Sequence, residues 1–392
     1  MRTKLSLIIL LQFFLSTNSF AYKVIEDVAT KAGGYDIPIK IALPENAIGK
    51  MPVMFFVHGG GWNGGDENEV PGASLPADAD YLCDQMGIIY VGLAYRCKGN
   101  NGTFHLALED LEASIAWFEE RADEFNADLS RIGFSGGSAG TTLSAVLAQR
   151  YPNCVVYLGR EGMYNVLDLD PSLSNFPSAE SRADFGLVTK EQKLEASPYH
   201  NLRNNPAASL LLHGKDDWLC HYSQSVKYAE QLKKAGGECK VILYDGINHQ
   251  CLNIGYPDVF KNSLMEMARL FARGYEIKDV DFDAIQAKVD DKTKSLFPYD
   301  HIPDLKLPGN WESKKYGTII LNENGTGEYI DSKGKTTKSL SYLNHSSFFT
   351  VSIDGEKRDR TFYLRQNDYT IYELITDMDS RYRTRRNDFR KL

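Results

Sequence analysis

The stretch that most constrains this chain is Arg131-Ile-Gly-Phe-Ser-Gly-Gly-Ser-Ala-Gly140. An apolar strand there runs into Gly136-Gly137-Ser138-Ala139-Gly140 and then into the helix-forming run Thr141–Gln149. This is the G-x-S-x-G pattern of a serine carried on a sharp strand-to-helix turn. So tight a turn needs glycine at its flanks, because a side chain there would meet the neighbouring strand or helix. The turn leaves the Ser138 hydroxyl exposed above the sheet. The N–H groups that follow it, starting with Ala139, lie in a first helical turn, where unpaired donors and the positive end of the helix dipole favour a developing oxyanion.

The rest of the chain to about residue 275 alternates strand and helix signals. Lys23–Ala29 and Ile37–Leu43, separated by Gly33-Gly34, read as a hairpin. Pro52–Val57 is continuously apolar, as in a strand buried on both faces, and it ends in His58-Gly59-Gly60-Gly61-Trp62. Successive glycines give up packing but let backbone N–H groups approach a bound oxygen closely. Asp78–Met86 predicts a helix and Ile88–Leu93 a second buried strand. Leu111, Ile115, Phe118, Ala122 and Phe125 recur at helical spacing, with Glu112, Glu119, Glu120 and Asp123 as a solvated face. Beyond the elbow come a strand at Val155–Leu158, a less regular segment Gly162–Asn201, a strand at Ser209–Leu212, a helix at Tyr222–Ala235 and a last strand at Lys240–Tyr244. This alternation predicts an α/β fold, a mostly parallel sheet with helices on both faces. The segment 162–201 is long for a connection inside a domain and is of the kind that carries function. Tyr164, Phe176 and Phe185 within it are candidates for lining a substrate pocket, with packing of the segment as the plainer role for each.

A serine nucleophile needs a general base and a group that orients the base. On a parallel sheet these stand on loops at the carboxyl ends of later strands. The loop after Ser209–Leu212 is His213-Gly-Lys-Asp-Asp217, and the loop after Lys240–Tyr244 ends in His249. The order serine, acid, histidine follows, with Asp216 and Asp217 both placed to be the acid. His249 is the candidate base. His58 and His213 are assigned to holding loops together.

The two ends of the chain read differently. Arg2 and Lys4, then the apolar run Leu5–Leu15, then Ser19-Phe20-Ala21, have the form of a secretory signal over residues 1–21. The run is shorter than the roughly 20 residues a membrane span requires. A soluble exported protein starting near Tyr22, periplasmic or extracellular, is expected, with no stable membrane insertion after cleavage. Residues 276–307 are polar with scattered prolines and the signal of a short helix, as in a linker. From 308 to 392, β-rich runs alternate with the turn signals Asn324-Gly325, Lys333-Gly334 and Asp354-Gly355, predicting a small antiparallel barrel or sandwich. The basic stretch Arg381 to Arg390 reads as a solvated edge strand. A formal net charge of −8 supplies no broad attraction to nucleic acid. The six cysteines, 83, 97, 154, 220, 239 and 251, match no zinc-site spacing. Neither a structural metal nor a cofactor is expected.

Taken together, His58-Gly-Gly-Gly-Trp62, Tyr95-Arg96, Leu108-Glu-Asp-Leu111, Gly136-Gly-Ser-Ala-Gly140, Ser197-Pro198, His213-Gly-Lys-Asp-Asp217 and His249 make residues 22–275 resemble the α/β-hydrolase esterases of the hormone-sensitive-lipase and feruloyl or acetyl-xylan esterase type. The resemblance implies Ser138 as nucleophile with His249 as its base. It selects Asp217 as the acid, since the family places that residue four positions after the His-Gly histidine. It also implies an oxyanion hole from the N–H groups of Gly60, Gly61 and Ala139. The expected activity is that of a serine carboxylic-ester hydrolase acting on small-molecule or polysaccharide-linked esters. A peptidase or amidase on the same residues, and a catalytically silent binding protein, are the alternatives. Trp218 departs from the small residue or proline often found after the acid in this family. With Cys220 just past Asp217 and Cys251 just past His249, a Cys220–Cys251 disulfide joining the two loops is expected, with two buried free thiols as the alternative and Cys83–Cys97 as a second candidate pair. Gly309-Asn-Trp311 followed by a β meander is similar to lipocalin-like domains, which implies an accessory module or a packing appendage.

Overall fold

Met51–Val57 has no solvent-facing residue, and the sheet is built outward from it. In the computed structural model, the described residues are 22–45, 47–167, 169, 179–249, 257–296, 308–313, 317–344, 349–356, 360–365, 370–376 and 384–391. The first eight strands are β1 (Tyr22–Ala32), β2 (Tyr35–Pro44), β3 (Met51–Val57), β4 (Ile89–Leu93), β5 (Ala127–Gly137), β6 (Cys154–Arg160), β7 (Ala208–Gly214) and β8 (Cys239–Tyr244). They form one sheet in the order β1-β2-β4-β3-β5-β6-β7-β8. β1 and β2 are a hairpin that joins β4 antiparallel, and from β4 to β8 every pairing is parallel. The carboxyl ends of β3, β5, β6, β7 and β8 therefore share one rim, which is where ligands of open parallel sheets bind.

The helices are α1 (Ala79–Met86), α2 (Phe104–Glu119), α3 (Ala139–Arg150), α4 (Ala179–Asp184), α5 (Lys190–Glu195), α6 (Ser223–Lys234), α7 (Pro257–Gly274) and α8 (Phe282–Leu296). Strand alternation divides the core between the two faces of the sheet. Phe55, Phe134 and Leu211 pack with Leu108 and Leu111 of α2, Leu143 of α3 and Tyr228 of α6. On the other face, Met54, Leu158 and Leu212 pack with Leu82 of α1, Leu264 and Phe271 of α7, and Ile285 and Val289 of α8. The segment read from sequence as a linker thus contributes a helix with two fully buried side chains. α2 starts at Phe104 because Thr103 caps it, accepting from the Leu106 N–H, and it stops at Glu119, short of the Phe125 that the apolar spacing suggested.

The C-terminal part is a second, separate sheet. Its strands are β9 (Gly309–Ser313), β10 (Gly317–Leu321), β11 (Thr326–Ile330), β12 (Thr337–Asn344), β13 (Phe349–Ile353), β14 (Arg360–Arg365), β15 (Thr370–Thr376) and β16 (Thr384–Lys391). Each pairs antiparallel with the next in sequence, and β16 returns to β9 through Arg390 opposite Glu312 and Lys391 opposite Trp311, closing the barrel. The expected barrel or sandwich is a barrel. Of the basic stretch, the described residues 384–390 lie in β16, which pairs with β15 along its length and with β9 at Arg390 and Lys391, so this strand is part of the closed ring and not an edge. Trp311, Ile319, Leu321, Leu340, Val351, Ile353 and Phe362 are buried together in this domain. No helix of the described residues is long and apolar enough to cross a membrane.

Candidate active site

Ser138 lies between the end of β5 and the start of α3 with φ 54° and ψ −123°, a backbone region costly for a residue with a side chain and stored where surrounding structure enforces it. The enforcement is visible. The Ser138 N–H donates to the Arg160 carbonyl at the end of β6 at 2.9 Å, and the Thr141 hydroxyl donates to the same carbonyl at 2.7 Å. A Cβ on Gly140 would lie 2.2 Å from the Val57 carbonyl oxygen, and one on Gly136 would lie 2.4 Å from that of Gly140. The two flanking glycines of the motif are there for this close approach.

The glycine loop after β3 passes beside the serine. A Cβ on Gly59 would stand 3.2 Å from the Ser138 Cβ, while Gly60 and Gly61 adopt φ of 108° and 66°, which residues with side chains rarely reach. Among the described residues, the loop's backbone hydrogen bonds run through Asn63 N to Gly60 O and Lys98 N to Trp62 O, and use neither the Gly60 nor the Gly61 N–H. His58 holds the loop's start: its ring stacks on Tyr95 at 4.5 Å and Nδ1 donates to the Gly59 carbonyl at 2.8 Å, while the Tyr95 hydroxyl donates to the His58 carbonyl. Burial lowers the His58 pKa against the opposing effect of that carbonyl, so the ring is a neutral strut.

Trp62 holds the loop's other end. Its indole Nε1 donates to the Ala139 carbonyl at 3.2 Å, and its ring stacks on Phe185 at 4.9 Å. Phe185 is fully buried, and so is Tyr164, whose ring stacks on Tyr228 at 4.3 Å. Both aromatic residues serve packing and neither lines a cleft. Phe176 lies outside the described residues. Two other runs quoted from sequence form one buried device: Arg96 grips Asp110 with Nε to Oδ2 at 2.8 Å and Nη2 to Oδ1 at 2.7 Å. Ser197 accepts from the N–H groups of Val166 and Leu167, pinning the start of the 162–201 segment.

The acid and the imidazole meet directly. Asp217, after β7, accepts at Oδ2 from His249 Nδ1 at 2.7 Å, and at Oδ1 from the Leu219 and Cys220 N–H groups, each at 2.9 Å. His213 Nε2 reaches the same Oδ2 at 3.0 Å. Burial alone would raise the Asp217 pKa, but the hydrogen bonds and charges of His213 and His249 outweigh it and hold the carboxyl well below the usual carboxylate range. Asp216 is exposed and its N–H donates to the Ile247 carbonyl; Asp217 is the neighbour that touches His249. Since Nδ1 faces a carboxylate it carries the hydrogen, which leaves Nε2 of a neutral His249 with the lone pair. Ser138 stands on the same rim, after β5, and is partly accessible.

The expected disulfides are not formed. Cys83, Cys97, Cys154, Cys220 and Cys239 are free, buried thiols; Cys251 lies outside the described residues. Cys83 belongs to the α1, α7 and α8 face of the sheet and Cys97 to the other, so the sheet separates them. Cys220 turns inward and donates from Sγ to the Gly162 carbonyl at 3.1 Å, away from solvent. Among the described residues no group of three or more His, Cys, Asp or Glu side chains could hold a metal ion.

A mostly parallel sheet with helices on both faces, a strained serine elbow after β5 and an Asp–His pair after β7 and β8 define an α/β-hydrolase fold. Solved structures agree: esterase Est2 of Thermogutta terrifontis matches 67% of this chain and 94% of its own with a TM-score of 0.51 at 22% identity. Residues 39–185 match the BD-FAE family model. Carboxylesterase NlhH of Mycobacterium tuberculosis is 34% identical over 115 residues, which are 29% of this chain and 34% of that protein. A probable isoprenylcysteine alpha-carbonyl methylesterase of Arabidopsis thaliana is 27% identical over 250 residues, 56% of this chain and 49% of its own length. The chain thus spans only about a third to a half of the length of these curated relatives. The likeness to α/β-hydrolase esterases read from the sequence is borne out over this domain.

Proposed function

We propose that this protein is an exported serine carboxylic-ester hydrolase working through an acyl-serine intermediate. The observation that carries the reading is the 2.7 Å contact between Asp217 Oδ2 and His249 Nδ1, on the rim that also bears the strained Ser138. That contact fixes the imidazole tautomer with Nε2 as the base. In the first half-reaction His249 Nε2 takes the Ser138 proton as Oγ attacks the ester carbonyl, and the tetrahedral oxyanion is met by the N–H groups of Gly60, Gly61 and Ala139. The imidazolium then protonates the departing alcohol, leaving the acyl-serine. Water enters, gives its proton to His249 and releases the acid, restoring Ser138 when the proton returns. Asp217 stays ionised throughout and stabilises the cation.

Short-chain acyl esters and acetyl or feruloyl groups on polysaccharides are the proposed substrate class. Support for export comes from the basic start and apolar run of residues 1–21. The barrel is proposed as an accessory, lipocalin-like module of the exported enzyme. A panel of p-nitrophenyl esters of rising chain length, with acetylated and feruloylated xylan, run on wild type and Ser138→Ala, tests the reading. Hydrolysis of short esters by wild type alone is expected; equal rates for both proteins, or cleavage of anilides in preference to esters, would refute it. Mass measurement of the protein recovered outside the cytoplasm should give a chain starting near Tyr22, and a retained Met1 would remove the export claim.

A further inference from the structure

His213 has no role in the mechanism above, yet it is fully buried and touches the catalytic acid. Its Nε2 faces two acceptors, Asp217 Oδ2 at 3.0 Å and the Cys220 carbonyl at 2.8 Å. Two acceptors place a hydrogen on Nε2, and Nδ1 is hydrogen-bonded to the Ser225 hydroxyl at 2.7 Å. Ser225 sits in α6, itself fully buried. A continuous chain of hydrogen bonds therefore runs from α6 through Ser225, His213 and Asp217 to His249.

We propose that His213 is a positioning residue that moderates the basicity of His249 by sharing Asp217 Oδ2 with it. This rests on the esterase reading of the site. The physical reason is competition for one oxygen. An oxygen that already accepts one N–H is a weaker acceptor for a second, and the strength of the Asp217–His249 bond sets how far imidazolium is favoured over imidazole. Placing Oδ1 on two backbone N–H groups and Oδ2 between two imidazoles also leaves the carboxylate no alternative rotamer. Other titratable groups lie close by. Cys220 is on the same loop and Glu161 follows β6; burial first, then the charges of Asp217 and Glu161, push the Cys220 thiol well above its usual value. From α6 the contact is the uncharged Ser225.

The test is the pH dependence of kcat/KM for p-nitrophenyl acetate, together with an NMR titration of the far-downfield His249 Nδ1 proton, in wild type, His213→Leu, His213→Gln and Ser225→Ala. Leucine removes the competing donor, so the acidic limb and the NMR midpoint should both move to higher pH by ~0.5–1 unit. Glutamine restores an N–H at similar reach and should return both toward wild type. Ser225→Ala weakens the donor by removing the hydroxyl that polarises it, giving a smaller shift in the same direction. A folded His213→Leu protein whose midpoints coincide with wild type overturns the proposal. Should leucine prevent folding, unmoved midpoints in Ser225→Ala do so instead. If wild type cleaves no ester, the reading of the site fails by the kinetic arm while the NMR arm still decides the network.

Discussion

The indole nitrogen of Trp62 donates to the backbone carbonyl of Ala139 across 77 positions of sequence. One bond thereby joins the glycine loop that supplies two proposed oxyanion donors to the helix that supplies the third. Trp62 also adopts φ 57°, so the turn that places the ring is itself strained, and its stack on Phe185 holds it there.

Trp62→Phe keeps a ring to stack on Phe185 but loses the donor. The two halves of the oxyanion hole should then drift apart by tenths of an ångström, lowering kcat about 3- to 10-fold while KM changes less than about twofold. Steady-state kinetics on one short ester checks this; a rise in KM at constant kcat would assign the residue to substrate binding instead.

Asp217 couples activity to stability. Its folded pKa is depressed, so the unfolded chain binds the proton more tightly, and its contribution is fully present above the ordinary aspartate value of about 3.9 and lost as pH falls through the folded value. Thermal unfolding of wild type should therefore weaken below about pH 4 more steeply than that of Asp217→Asn. The same variant should lose ~10³–10⁴ in kcat at neutral pH, because an amide cannot accept from all four N–H groups now aimed at the carboxylate. Parallel stability curves for the two proteins below pH 4 would contradict the linkage.

Two glycines of the elbow, Gly137 and Gly140, should respond differently. At Gly140 a methyl group meets the Val57 and His58 carbonyls, so Gly140→Ala should cost about 2 kcal/mol or more, although alanine is the better helix former by about 1 kcal/mol. At Gly137 a Cβ meets nothing within 4 Å, and Gly137→Ala should stay within about 0.5 kcal/mol of wild type. Denaturant midpoints of the two variants measure the contrast, and equal losses would mean that the elbow yields to a methyl group at Gly140.

Reductant should leave the melting temperature unchanged. Five of the six cysteines are free and buried. Thiol titration should find slow labelling of the native protein and six reactive thiols in denaturant; four thiols in denaturant without reductant would establish a bridge.

The sheet was legible because burial on both faces leaves a mark in composition: Pro52–Val57 and Ser209–Leu212 are continuously apolar, and the glycines at 136 and 140 advertise a turn with no room for side chains. The meeting of Asp217 with His249 was legible because chain order places them on successive loops. Disulfide pairing was not, since proximity of two loops says nothing about where a thiol points, and Cys220 points at Gly162. β12 carries the weaker signal in sequence, because Thr337, Lys338, Ser339 and Ser341 dilute its apolar positions. The tie from Trp62 to Ala139 was hidden for a different reason: it depends on a side chain crossing 77 positions of sequence, which no local spacing encodes.

The seam of the barrel has a consequence for biosynthesis. β16 must pair with β15 and β9 at once, so the ring stays open until residues 384–391 have left the ribosome. The strands of the first sheet are complete once Tyr244 has emerged. Ordering within a single translation event thus favours a parallel sheet assembled early and a barrel that snaps shut last, and a nonsense mutation at the start of β16 would leave β9 and β15 each with an edge open to another chain.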